Sequence, residues 1–222
     1  MSTGTVTVPK SGPKRPGTEI PELELPMSMR SWGDPFGYVH GQINHEGIQH
    51  PGDDLNNGAD AWADEGAPLR APGDSLIVFS GSAGGWGTLI VGLFSFKLPD
   101  YRDGGRLKFL GWRLGHPQKL LVRAGQRVRK GDVVGTCGNG GNGRRGQKGA
   151  MAPHAHYDLF VRGAFEEYAT RYDPQTLTRT GLPWTYWDRA AHPKRDHYAE
   201  FFRDPADYHP EILAAGRRTG RG

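Results

Sequence analysis

The stretch SLIVFSGSAGGWGTLIVGLFSF, residues 75–96, decides the fold. Two runs rich in β-branched and aromatic residues, SLIVFSG and GTLIVGLFSF, flank a turn of small residues and glycines. Runs of this length and composition, bounded by glycine, read as neighbouring strands. On the N-terminal side, APLRAPGD (67–74) continues the pattern with a Pro-Gly turn. On the C-terminal side, KLPDYRDGG (97–105) reads as a hairpin loop and RLKFLGWRLGH (106–116) as the returning strand. KLLVRAGQRVRKGDVVGTCG (119–138) alternates apolar and polar residues, with a turn at Lys130–Gly131. A long, basic, glycine-rich loop (138–153) leads to a last strand, HAHYDLFVRG (154–163). The expected fold is mainly β.

The flanks differ in character. Residues 1–30, rich in Pro, Gly, Thr and Lys, read as a flexible, extended arm. The compact domain is expected over 31–165. Residues 166–222 read as a partly helical extension, interrupted by Pro193, Pro205 and Pro210, with a frayed end. Trp184, Tyr186 and Trp187 are expected to pack this extension on the core.

Composition narrows the chemistry. The 222 residues include 34 glycines and 17 prolines, which favour turns over a helical bundle. The lone cysteine, Cys137, excludes an internal disulfide and a cysteine-based zinc cluster; it reads as a small buried apolar side chain. A net charge of +4 suits anionic partners such as cell-wall polymers or nucleic acid, which charge alone does not separate. No run reaches membrane-spanning length, and the first residues carry no apolar signal-peptide core.

Two places carry metal-binding logic. In HPGDD (50–54), His50 and Asp54 lie four apart on a Pro-Gly turn that folds both side chains toward one point. In HAH (154–156), strand geometry puts His154, His156 and Asp158 on one face and Ala155, Tyr157, Leu159 and Val161 on the other. The expectation is a half-buried strand with its polar face in a cleft. His50, Asp54 and one histidine of the HAH pair make three protein ligands, the number found at catalytic zinc sites. Other motifs fail: HEGIQH (45–50) is one residue too long for H-E-x-x-H, the 138–149 loop has no P-loop spacing, and no serine sits in G-x-S-x-G.

These segments resemble the lysostaphin-type, LytM-like zinc metalloendopeptidases. HPGDD looks like that family's H-x-G-x-D. EGAPLRAPGDSLIVFSGSAGGWG (65–87) looks like its G-x-P-V-x-A-x-x-x-G-x-V segment. LGHPQKLLVRAGQRVRKGDVVGTCGNGG (114–141) is similar to its Y-A-H-L…V-x-x-G-x-x-V-x-x-G-x-x-I-G stretch, and PHAHYDLFVRG (153–163) to P-H-L-H-F-E. The matches fall in the family's order from about Phe36 to Val161. The resemblance implies one zinc ion on His50, Asp54 and His156, with His116 and His154 acting beside it on water or the oxyanion. It implies a compact antiparallel β sandwich or barrel-like core (a duplicated hybrid motif) with a groove over the zinc, and a peptidoglycan peptide as substrate. The chain is expected to act at the bacterial wall as a monomer, with no nucleic acid partner and no membrane span. With no signal peptide visible, export would follow another route, such as phage-type lysis or a secretion system. Leu114 stands where the family has tyrosine, and the RRGQKG insert (144–149) is additional. Two other readings are a catalytically silent LytM-like scaffold and a biotinyl- or phosphotransfer-type carrier, which the 122–135 hairpin also resembles.

Overall fold

The computed structural model describes residues 21–28, 31–32, 58–82, 87–138, 152–161 and 202–209. Its elements are almost all antiparallel strands: β1 (Ser31–Trp32), β2 (Ala59–Trp62), β3 (Pro68–Arg70), β4 (Ser75–Ser82), β5 (Thr88–Asp100), β6 (Arg106–Gly115), β7 (Pro117–Leu120), β8 (Arg127–Val128), β9 (Val133–Cys137), β10 (His154–Val161) and β11 (Phe202–Arg203). The larger sheet runs β1-β2-β10-β6-β5-β4-β8, with β11 also on β10; the smaller runs β3-β9-β7. The expectation of a mainly antiparallel β fold therefore holds. The sheets do not close into a barrel.

The quoted stretch forms the β4–β5 pair, with Leu76 opposite Leu93 and Ile90 opposite Ser80. Leu69, Ile77, Ile90, Trp112, Leu114 and Val134 are fully buried between the sheets. Burying such side chains contributes about 1.5–3 kcal/mol each, which is what holds the sheets together. The smaller sheet approaches the larger so closely that a Cβ on Gly135 would sit 3.1 Å from Ile90 Cδ1. Trp112 satisfies its indole by donating from Nε1 to Ser75 Oγ at 2.9 Å. Cys137 is buried as expected, and burial, aided by the charge of Glu65, pushes its thiol up to about 11. It stays a neutral, unreactive side chain. Among the described residues no helix is long and apolar enough to cross a membrane.

Three expectations need correction. β5 continues through Lys97–Asp100, so the expected nine-residue loop shrinks to a 3-10 turn at Tyr101–Asp103 and two glycines of positive φ. Part of the arm is packed: Leu23 and Met27 are buried in the core, and Glu24 N donates to Pro72 O. β10 is not half-buried. All eight of its residues are buried, and β2 and β11 pair along successive parts of one edge with β6 along the other.

Residues 202–209 also close the fold. Arg203 binds Asp100 through two hydrogen bonds of 2.6 and 2.8 Å, and Lys108 Nζ lies 2.9 Å from the same carboxylate. Tyr208 donates to Pro99 O, and Tyr157 shares a 3.0 Å hydrogen bond with His209. Burial works to raise the Asp100 carboxyl, but the hydrogen bonds from Arg203 and Lys108 win and hold it well below the usual range. A depressed carboxyl contributes stability that is complete above its unfolded pKa and lost as pH falls toward the folded value. Asp100→Asn, which breaks a buried pair, should cost about 3–5 kcal/mol at pH 7. The gap from the parent protein should narrow below about pH 4, where the parent loses the same contribution. Urea denaturation at pH 7 and pH 3 measures both.

Candidate functional site

β10 carries the site because its neighbours bring chemistry to each end of its polar face. In register, His156 faces Asp60 of β2 on one side and Gly115, the last residue of β6, on the other. The chain then turns at His116, a buried residue with φ of 66°. That left-handed conformation is costly for a side chain with a Cβ and is held here by neighbouring structure. His116 N donates to Thr88 O at 3.0 Å. The turn brings the His116 ring to 4.7 Å, centroid to centroid, from His154.

His154 is fixed from three directions. Its Nδ1 lies 2.9 Å from Ala152 O, its ring is 5.1 Å from that of Trp62, and His116 packs beside it. A carbonyl only accepts, so Nδ1 carries the proton and Nε2 of the neutral ring is left as the acceptor. His156 is gripped by two carboxylates. Nδ1 is 2.9 Å from Asp60 Oδ1, and Nε2 is 3.4 Å from Asp158 Oδ2. Burial works to lower the His156 pKa, but the hydrogen bonds to Asp158 and Asp60 win and raise it to about 9. Burial likewise works to raise Asp60, and the His156 hydrogen bond with the charges of His156, His154 and His116 brings it below its ordinary value.

This donor set fits a divalent cation in part. Two carboxylates favour positive charge at His156. Asp60 and the facing imidazole nitrogen are one oxygen and one nitrogen donor of the kind zinc takes. Among the described residues, no three such side chains converge into a complete metal cage. His50 and Asp54 lie outside the described residues, as does the RRGQKG insert.

Asp60, which meets His156 in the structure, is not among the residues singled out from the sequence. NNGAD, residues 56–60, has the same x-x-Gly-x-Asp spacing as HPGDD, residues 50–54. Gly58 lets NNGAD lie close against β10. A Cβ there would lie 2.3 Å from Tyr157 O and 2.7 Å from both Asp158 Cβ and His156 Nε2.

No family model matches the chain, and no curated protein does. Solved peptidases are similar in structure. The catalytic domain of the antimicrobial peptidase lysostaphin from Staphylococcus simulans is 20% identical, with a TM-score of 0.45, over 80% of this chain and 90% of that one. Full lysostaphin is 18% identical, with a TM-score of 0.45, over 90% of this chain and 58% of that one. A zinc-containing peptidase from Vibrio cholerae is 20% identical, with a TM-score of 0.42, over 64% of this chain and 38% of that one.

Proposed function

We propose that the chain is a zinc-dependent endopeptidase that hydrolyses peptide bonds in bacterial peptidoglycan, working at the cell wall as a monomer. The observation that carries this reading is the joining of Asp60 to His156 at 2.9 Å, beside the His116–His154 pair. The motif order along the sequence supports the same chemistry.

His156 and Asp60 would hold the zinc, with Asp60 in the carboxylate role that the resemblance implies for Asp54. His50 remains the candidate for a further protein ligand. Bound zinc supplies Lewis acidity toward a carbonyl and toward water. His154, with Nε2 available as acceptor, takes the proton from the attacking water. His116, packed against it, donates to the oxygen on which charge develops. The fixed rings need little reorganisation as that charge appears. Removing either histidine should leave zinc stoichiometry unchanged and slow turnover by about 10²–10⁴-fold, the usual range for a positioned acid or base. The check is peptide release from purified peptidoglycan by His154→Ala and His116→Ala, with zinc counted by atomic emission. Full activity in either variant would overturn that residue's role.

One observation favours a second reading, a silent scaffold. With Asp60 as the carboxylate, the residue four before it is Asn56, an amide where the resemblance calls for histidine. Purified protein without zinc and without wall hydrolysis would select this reading; one zinc per chain with peptide release would exclude it.

A further inference from the structure

Arg113 and Asp158 form an ion pair buried inside the larger sheet, 2% and 0% exposed. They stand directly opposite each other on β6 and β10. Arg113 Nε lies 2.8 and 2.9 Å from the two carboxylate oxygens, and Nη2 lies 2.7 Å from Oδ2. The guanidinium also stacks over the Phe202 ring at 4.8 Å. A buried pair of this kind is no better for stability than apolar residues of similar volume. Stability alone therefore does not account for placing it in a strand core one step from the histidines.

The geometry points to another use: Arg113 locks Asp158 so that Asp158 orients His156 for metal binding. This rests on the zinc reading above. Asp158 Oδ2, which accepts from Arg113 Nε at 2.9 Å and lies 2.7 Å from Nη2, is also the oxygen facing His156 Nε2 at 3.4 Å. The fork fixes the plane of the carboxylate, and a carboxylate only accepts. Nε2 is thereby committed as a donor, and Nδ1 is turned toward Asp60. Carboxylates behind metal-binding histidines set ring orientation and tautomer in this way. Arg113 and Asp158 are positioning residues and touch neither ion nor substrate.

The test uses the full chain in three forms: parent, R113K, and R113M/D158L. Apo-protein melting reports folding. Competition with a chromophoric chelator reports zinc affinity, and the visible spectrum of the cobalt-loaded protein reports coordination. The double variant replaces the pair by apolar residues, so its apo form should melt near the parent while zinc affinity falls about 10–100-fold. R113K keeps the charge and loses the fork, so it should also bind zinc more weakly, with an altered cobalt spectrum. Parent-like affinity and spectrum in a folded variant would overturn the inference and leave the zinc reading standing. If the double variant fails to fold, R113K decides alone. A parent protein that takes up no zinc would overturn both.

Discussion

Replacing Asp60 by alanine should abolish zinc binding and reduce wall hydrolysis by at least about a thousandfold. The size follows from the function assigned to the ion: Lewis acidity contributes several kcal/mol, and each 1.36 kcal/mol is about tenfold in rate. Asp60 sits in β2 directly opposite His156, and its Oδ1 is the group that meets Nδ1. No other described carboxylate is bonded to that nitrogen. Asp54→Ala is the paired control. If Asp60 supplies the carboxylate, Asp54→Ala keeps both zinc and activity. If Asp54 supplies it, the outcomes reverse. Zinc per chain after exhaustive dialysis, with peptide release from purified wall, separates the two.

Gly58→Ala should lower both stability and zinc affinity. The added methyl would meet a backbone carbonyl at 2.3 Å and the Asp158 Cβ at 2.7 Å, and neither can swing aside. β2 would have to move away from β10, opening the Asp60–His156 contact. Forced overpacking of this kind costs about 1–3 kcal/mol. Urea denaturation of the apo-protein should show that loss, and zinc affinity should fall with it. A variant with parent-like stability and affinity would mean that β2 does not need its close approach to β10.

Local sequence read some parts of this molecule well. The strands at 75–82, 106–115, 133–137 and 154–161, and residues 88–96 of β5, follow from short apolar, β-branched or aromatic runs bounded by turn residues. What misled was decided by distant contacts. Pro99 and the surrounding charges argued for a loop, yet Tyr208 hydrogen-bonds Pro99 O and Arg203 holds Asp100. These partners lie about a hundred residues away, and they keep the strand going to its end. The alternation in β10 was legible, but the burial of both its faces was not. That burial depends on which strands flank it.

The site divides in the same way. The HAH pair was legible because strand geometry alone puts two imidazoles on one face. His116 was found through the resemblance; its left-handed turn against His154 is a tertiary feature. Asp60 shares its spacing with Asp54, and its place opposite His156 comes from the β2–β10 register. Arg113 gave no local sign of its function, since a single arginine in an apolar strand acquires a partner only across the sheet.

The most direct test is a crystal of the zinc-soaked protein with anomalous data collected on both sides of the zinc edge. The expected result is one peak per chain at about 2.0–2.2 Å from an Asp60 carboxylate oxygen and a His156 ring nitrogen. A zinc peak whose ligands exclude Asp60, or no peak near β10, would contradict it.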